Sequence, residues 1–344
     1  MLDQKNIIIK KVTSVGRSRA WLVRTLATQG RMVASTETLL TWAYAVATVW
    51  GALAFAGGSY PFLAPAAGTV AAVWALRTTF GSYCRPHQAK LRDQLVQLAA
   101  HCVAAAWEVR ILWYGEGQAW WAGGTVAGCW ARAPEGIAPI SAEVWYFLVC
   151  QFCLWATLGF SCRFLEERSR DYPVMMAHHV TTVLLVAMAW TGSTWRSAVV
   201  CLFLHDVSDI AVDAMKVAYY LDLGGPARWY ATEVLWGVNM LAWSVCRCWL
   251  FPLFVYEHIF TQVRVRAQGP AEIPWFFPVN GLLALLGVMH VYWCGLLLRV
   301  GYRAIWVGRG RETAAVGAQI YDRPRSIRLA SEKYRISDKP TVAA

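Results

Sequence analysis

Residues 175–190, MMAHHVTTVLLVAMAW, run directly into residues 191–216, TGSTWRSAVVCLFLHDVSDIAVDAMK. Together they set three histidines and three aspartates inside segments otherwise apolar enough to lie in hydrocarbon. In the second segment His205 and Asp209 are four residues apart, and Asp206, Asp209, Asp213 and Lys216 follow in steps of three, four and three. On a helix these residues form one polar stripe. Each ionised group near the centre of a bilayer costs about 2.5–3.5 kcal/mol even on lenient scales. Several on one face would therefore prevent insertion unless that face lines a wet cavity or finds partners. The pair of segments predicts two neighbouring membrane helices that turn their ionisable side chains toward a shared space.

The remainder of the chain fits that setting. It has 344 residues, 57% hydrophobic and 15% charged, against about 25% charged in ordinary soluble domains. Its 20 tryptophans suit the headgroup level of a membrane, where indole finds an apolar and a wet side together. The net charge of +11 raises nucleic acid as a partner, but the basic residues sit at the two ends and in alternate loops, with no accompanying binding motif, so none is expected. Anionic lipid and membrane topology account for them. Ten cysteines are scattered through apolar segments, and the CxxC pair Cys150 and Cys153 has no second pair near it, so they read as packed thiols.

Hydrophobic runs predict an all-α, polytopic membrane helix bundle with about eight spans, at 38–57, 61–79, 94–113, 141–162, 174–191, 195–220, 229–253 and 275–303. The second is the weakest and leaves seven spans open. An N-terminal arm, 1–37, holds Lys5, Lys10, Lys11, Arg17, Arg19, Arg24 and Arg31, and residues 306–344 read as a disordered basic tail. The positive-inside rule places both termini in the cytosol, with Arg85, Lys90, Arg92, Arg163, Arg168 and Arg170 on that side. The Gly- and Trp-rich segment 114–140 is expected along the opposite interface, and Ser331 in the tail sits in a kinase-like RLAS context. Between arm and tail the domains divide into an N-terminal hairpin, 38–89, and a main bundle, 90–305.

Histidine with neighbouring carboxylates can take a proton from an amine or attack an acyl group. It is half of a hydrolytic triad, without the serine. A metal centre uses the same residue types, but membrane di-iron enzymes need many more histidines than the seven here, and His87, His101, His258 and His290 lie elsewhere in the sequence. No metal is expected.

The stretch RDYPVMMAHHVTTVLL (170–185), followed by FLHDVSDIAVDAMK (203–216), resembles the signature of the ceramide synthases, the longevity-assurance branch of the TLC superfamily. Weaker similarity covers roughly 90–305, including VNGLLALLGVMHVYW (279–293). The resemblance implies a TLC-type six-helix core and an endoplasmic-reticulum enzyme that joins a fatty acyl group from acyl-CoA to the amine of a sphingoid base. Matched by position, His178 and His179 fall on the paired catalytic histidines, His205 and Asp206 on the HD pair, and Asp209 on the second aspartate. Asp213, Lys216 and Arg196 fall on further motif positions and are expected to bind substrate. The resemblance also assigns an influence on acyl-chain choice to the link before the last span, here 254–274. Ser193 and Ala198 depart from the family's asparagine and glycine, and the short loop 80–93 leaves no room for the homeobox-like insert of many animal members.

These readings make acyl-CoA a co-substrate and call for no cofactor. The expected partners are acyl-CoA, a sphingoid base and membrane lipids, with a homo- or heterodimer left open. His178 is the favoured nucleophile, through an acyl-imidazole, with direct attack by a deprotonated amine as the second route. His205 is expected as acid and base, and Asp206 or Asp209 as orienting groups. The alternative is a non-enzymatic TLC-domain protein that binds lipid or assists translocation.

Overall fold

Among the described residues, eight long helices form from the hydrophobic runs, because a backbone in lipid must satisfy its own hydrogen bonds. The computed structural model describes residues 36–58, 60–84, 88–120, 128–129, 140–167, 171–192, 194–266 and 275–306. Most of the basic arm and tail, most of segment 114–140, and Arg85, His87, Arg168, Arg170, Ser193 and Ser331 lie outside the described residues. In chain order the helices are α1 (Thr36–Ala56), α2 (Leu63–Tyr83), α3 (Ala89–Tyr114), α4 (Ala142–Phe164), α5 (Tyr172–Thr191), α6 (Trp195–Tyr220), α7 (Ala231–Arg266) and α8 (Phe276–Trp306). No strand occurs among the described residues.

Six of these helices are long and apolar enough to cross a membrane: α1, α3, α4, α5, α7 and α8. The protein is a multi-pass membrane helix bundle. α2 and α6 are also long, 21 and 26 residues, but fall outside that set; α6 does so because of its charged stripe. α7 runs further than the expected 229–253. It continues to Arg266, so residues 254–266 of the supposed link are helix.

The core gathers on α4, which is apolar on nearly all sides and mostly buried, as expected of a central helix. Trp145, Phe147, Leu148 and Phe152 of α4 pack with Phe55, Met176 and Val183, and Phe55 stacks with Trp190 at 6.0 Å between ring centroids. Outward faces are apolar too. On α1, Trp42, Val46, Val49 and Leu53 recur at helical spacing and are exposed, which suits contact with lipid tails. Gly159 of α4 lets neighbours close in; a Cβ there would lie 2.6 Å from the Tyr44 ring and 3.3 Å from His179 Cβ. Tyr44 spans the same gap, its hydroxyl donating to the Ala156 carbonyl. Arg77 of α2 binds Asp93 of α3 at 3.1 Å and the Ser161 hydroxyl of α4 at 2.8 Å, tying three helices together at one end of the bundle.

Candidate active site

The polar stripe on α6 does not face lipid. α3 packs along it, and the two helices present matching polar residues two turns apart. His101 Nδ1 lies 2.7 Å from Asp213 Oδ2, and seven residues on, the Glu108 carboxyl lies beside that of Asp206. A step of seven up α3 is a step of seven down α6, as antiparallel helices require. Gln94, seven residues before His101, donates its amide to Asp213 as well. α4 adds a third partner: Gln151 donates to Asp206 Oδ2 at 2.8 Å and accepts from the Trp155 indole at 3.1 Å.

α7 supplies the positive charge. At Ser244–Leu250 the helix widens into a π-helical segment, a distortion frequent at functional sites, and from it projects Arg247, 2% exposed. Its guanidinium donates to Asp209 Oδ1 at 2.6 Å, Ser208 Oγ at 2.6 Å and the His205 carbonyl at 3.1 Å. It also reaches His290 Nε2 of α8 at 3.1 Å. His205 is fixed at both ring nitrogens. Nδ1 lies 2.7 Å from the Cys201 carbonyl, which can only accept, so Nδ1 carries a hydrogen, while Nε2 lies 3.1 Å from His290 Nε2.

His178 and His179 begin one turn into α5. Asp171, ahead of that helix, accepts from the Trp293 indole at 3.1 Å, and the His178 ring stands edge-on to both Trp155 (5.5 Å) and Trp293 (5.6 Å). Two chambers meet at this point. The outer one, about 1510 Å³ counting the open space at its mouth, carries the ionisable residues His101, His179, Asp209, Asp213, Lys216 and Arg247 among apolar ones such as Leu158, Met175 and Leu297. The inner one, about 560 Å³ and likewise counting open space, is walled mainly by apolar side chains such as Leu185, Val186, Leu202, Val279, Leu283 and Leu286. His178 and Trp155 line both. His205 lines the inner chamber, which follows α6 back to Thr194, eleven residues or about 16 Å.

The structure thus brings together most of the residues singled out from sequence. His178, His179, Asp209, Asp213 and Lys216 share the outer chamber, and His205 closes the inner one. Asp206 is fully buried behind the wall. Arg196 lies apart: it sits at the start of α6 over the rings of Trp120 and Trp195, seventeen residues or about 25 Å along the helix from Asp213. Gln94, His101, Glu108, Gln151, Arg247 and His290 were not recognised from sequence as part of the site. Their signals were an i, i+7, i+14 series on α3 and an arginine inside an apolar span.

Comparison with known proteins places this architecture. A model of the TLC domain matches residues 90–299. The chain belongs to the TLC-domain family. Every site residue just described falls within the matched TLC domain. Among curated relatives, the chain is 25% identical over 182 residues to human ceramide synthase 5, an alignment covering 53% of this chain and 43% of that protein. It is 24% identical over 176 residues to Arabidopsis thaliana ceramide synthase LOH2, covering 48% and 56%. With Caenorhabditis elegans ceramide synthase hyl-1 the figures are 24% over 193 residues, 54% and 50%. The chain spans about half the length of the curated relatives it matches.

Proposed function

We propose that the protein is a ceramide synthase of the endoplasmic reticulum, an acyltransferase that moves a fatty acyl group from acyl-CoA to the amine of a sphingoid base. The observation that carries this reading is the position of His178 at the junction of a polar and an apolar chamber. An acyl thioester has the same two-part character. Its chain occupies the inner chamber, CoA stays in the open outer one on the cytosolic side, and the carbonyl between them meets the imidazole. The relatives named as ceramide synthases support the substrate assignment.

His178 attacks the thioester carbonyl, the C–S bond breaks, and CoA leaves as the thiol after taking up a proton. The sphingoid amine then attacks the acyl-imidazole, the amide forms, and the amine's proton passes to a neighbouring base. His179, on the same chamber wall, is placed to accept it. His205, held by Cys201 and His290, acts instead as a fixed wall of the acyl site, a change from the acid and base role expected from sequence. Asp209 and Arg247 orient the α6 backbone beneath it.

The test is an assay of the detergent-purified protein with palmitoyl-CoA and sphinganine. Release of free CoA together with dihydroceramide is expected. A protein that only binds lipid retains its ligands and releases no CoA, and that result would refute the reading.

Charge at the chamber mouth gives a second check. Glu166, in the turn after α4, lines the outer chamber, and burial, reinforced by Asp93, pushes its carboxyl up to about 7. It is neutral below that pH and negative above it. Because CoA carries several negative charges, KM for acyl-CoA should rise roughly threefold between pH 6 and pH 8 at low salt. Glu166→Gln should flatten that rise, and an unchanged pH profile in the variant would remove Glu166 from the substrate's path.

A further inference from the structure

We propose that His101, Asp206 and Asp209 form a binding site for a divalent cation of the Zn²⁺ class in the wall of the outer chamber. One ligand atom from each of the three lies within 4.8 Å of the others. At bond lengths of about 2.0–2.2 Å, the ligand atoms of a tetrahedral site stand about 3.3–3.6 Å apart, so side-chain rotations that draw the three atoms in by up to about 1.5 Å complete the site.

Two of the three ligands carry an unused polar atom in a buried place. His101 is 4% exposed, and with Nδ1 committed to Asp213 its Nε2 has no hydrogen-bond partner. Asp206 is fully buried, its Oδ2 is held by Gln151, and its Oδ1 makes no hydrogen bond of good geometry although the Glu108 carboxyl stands beside it. Leaving such atoms unmatched is unfavourable, the more so when they are charged. A bound cation removes that cost for both.

Each candidate ligand is also gripped from behind. Asp213 holds the far nitrogen of His101, Gln151 the far oxygen of Asp206, and Arg247 an oxygen of Asp209. A carboxylate on the distal nitrogen of an imidazole is the usual support of a metal-ligating histidine, since it fixes the tautomer and turns the other nitrogen toward the ion. Gln94 in turn steadies Asp213.

The charges point the same way. Glu108, Asp206, Asp209 and Asp213 bring four carboxyls together around His101, with Arg247 buried against Asp209 and Lys216 further out at the chamber. A dication suits such a carboxyl-rich place. One imidazole with two carboxylates suits Zn²⁺, which accepts nitrogen and oxygen ligands and works with three protein ligands and one open position. Mg²⁺ prefers oxygen alone in an octahedral shell. Counting histidines in the sequence argued against a metal, but three ligands from two helices need only one.

The test does not depend on the transfer reaction, so it can fail without touching the proposed function. The full-length protein in detergent is stripped with EDTA, equilibrated with ZnCl₂, desalted and measured by plasma mass spectrometry. About one Zn²⁺ per chain is expected for the wild type and for Cys102→Ser, an exposed neighbour on α3. His101→Ala and Asp206→Ala should retain less than about a tenth of that, and Asp213→Asn should bind roughly 10–100-fold more weakly. The thermal midpoint of the wild type should rise with ZnCl₂, and that of His101→Ala should not. A metal-free wild type, or a monodisperse His101→Ala holding as much zinc as the wild type, overturns the proposal. If His101→Ala does not fold, the wild-type content and the Asp213→Asn affinity decide it.

Discussion

His178→Ala should abolish CoA release from palmitoyl-CoA and sphinganine, lowering turnover by at least about a hundredfold. A positioned proton-transfer group is worth about 10²–10⁴, and loss of a covalent nucleophile costs more. The same variant separates the two routes. With acyl-CoA alone and no amine, the covalent route predicts a burst of free CoA close to one equivalent per enzyme, followed by slow hydrolysis. The variant should show no burst. If it stays monodisperse and turns over at the wild-type rate, the histidine at the junction is not the reacting group, and the two-chamber account of the substrate goes with it. His205→Ala is the informative contrast. Its ring packs at 5.3 Å from Phe251 and 5.0 Å from His290, so its loss should disturb the acyl wall and raise KM more than it lowers the burst.

The α5–α6 half of this site was legible because its polar residues are crowded: six ionisable groups in two consecutive apolar helices cannot be explained by lipid contact. The other half was not, because its residues are spread thinly, with Gln94, His101 and Glu108 over about four turns of α3 and one each on α4, α7 and α8. The partners of His101 and Glu108, Asp213 and Asp206, lie about a hundred residues away in the sequence. Only the antiparallel packing of α3 on α6 makes the pairs. Gln151 reads as a single amide in a long apolar helix, and its meaning appears when Asp206 and Trp155 are seen on either side of it. Arg247 is aimed by a π-helical segment, which helical periodicity of 3.6 does not anticipate. Arg196 shows the opposite error. It is near the motif in sequence, but along α6 that nearness becomes a separation about as long as the membrane is thick. The helices themselves were easier, since continuous apolar runs mark their approximate ends, and α7 was misjudged where it continues past Leu253 into Tyr256, Glu257 and His258.

Arg247→Met should destabilise the fold by about 3–5 kcal/mol, the cost of breaking a buried ion pair by removing one partner. Four groups from two helices lose their partner together: the Asp209 carboxylate, the Ser208 hydroxyl, the His205 carbonyl and the His290 ring. Lysine should not rescue it. A single ammonium cannot replace a planar fork whose Nε, Nη1 and Nη2 each face a different partner. The damage should nevertheless be repairable in part, because most of it is the stranded charge rather than lost packing. In Arg247→Met/Asp209→Leu the charge is gone from both sides, and apolar replacement of a buried pair is often close to neutral. Thermal unfolding in detergent should therefore show the double variant recovering more than half of the single variant's loss, while CoA release stays absent from both. Equal instability of the double and single variants would mean that Arg247 acts through the His205 carbonyl and His290 instead of through Asp209, and would move the electrostatic centre of the site from α6 to α8.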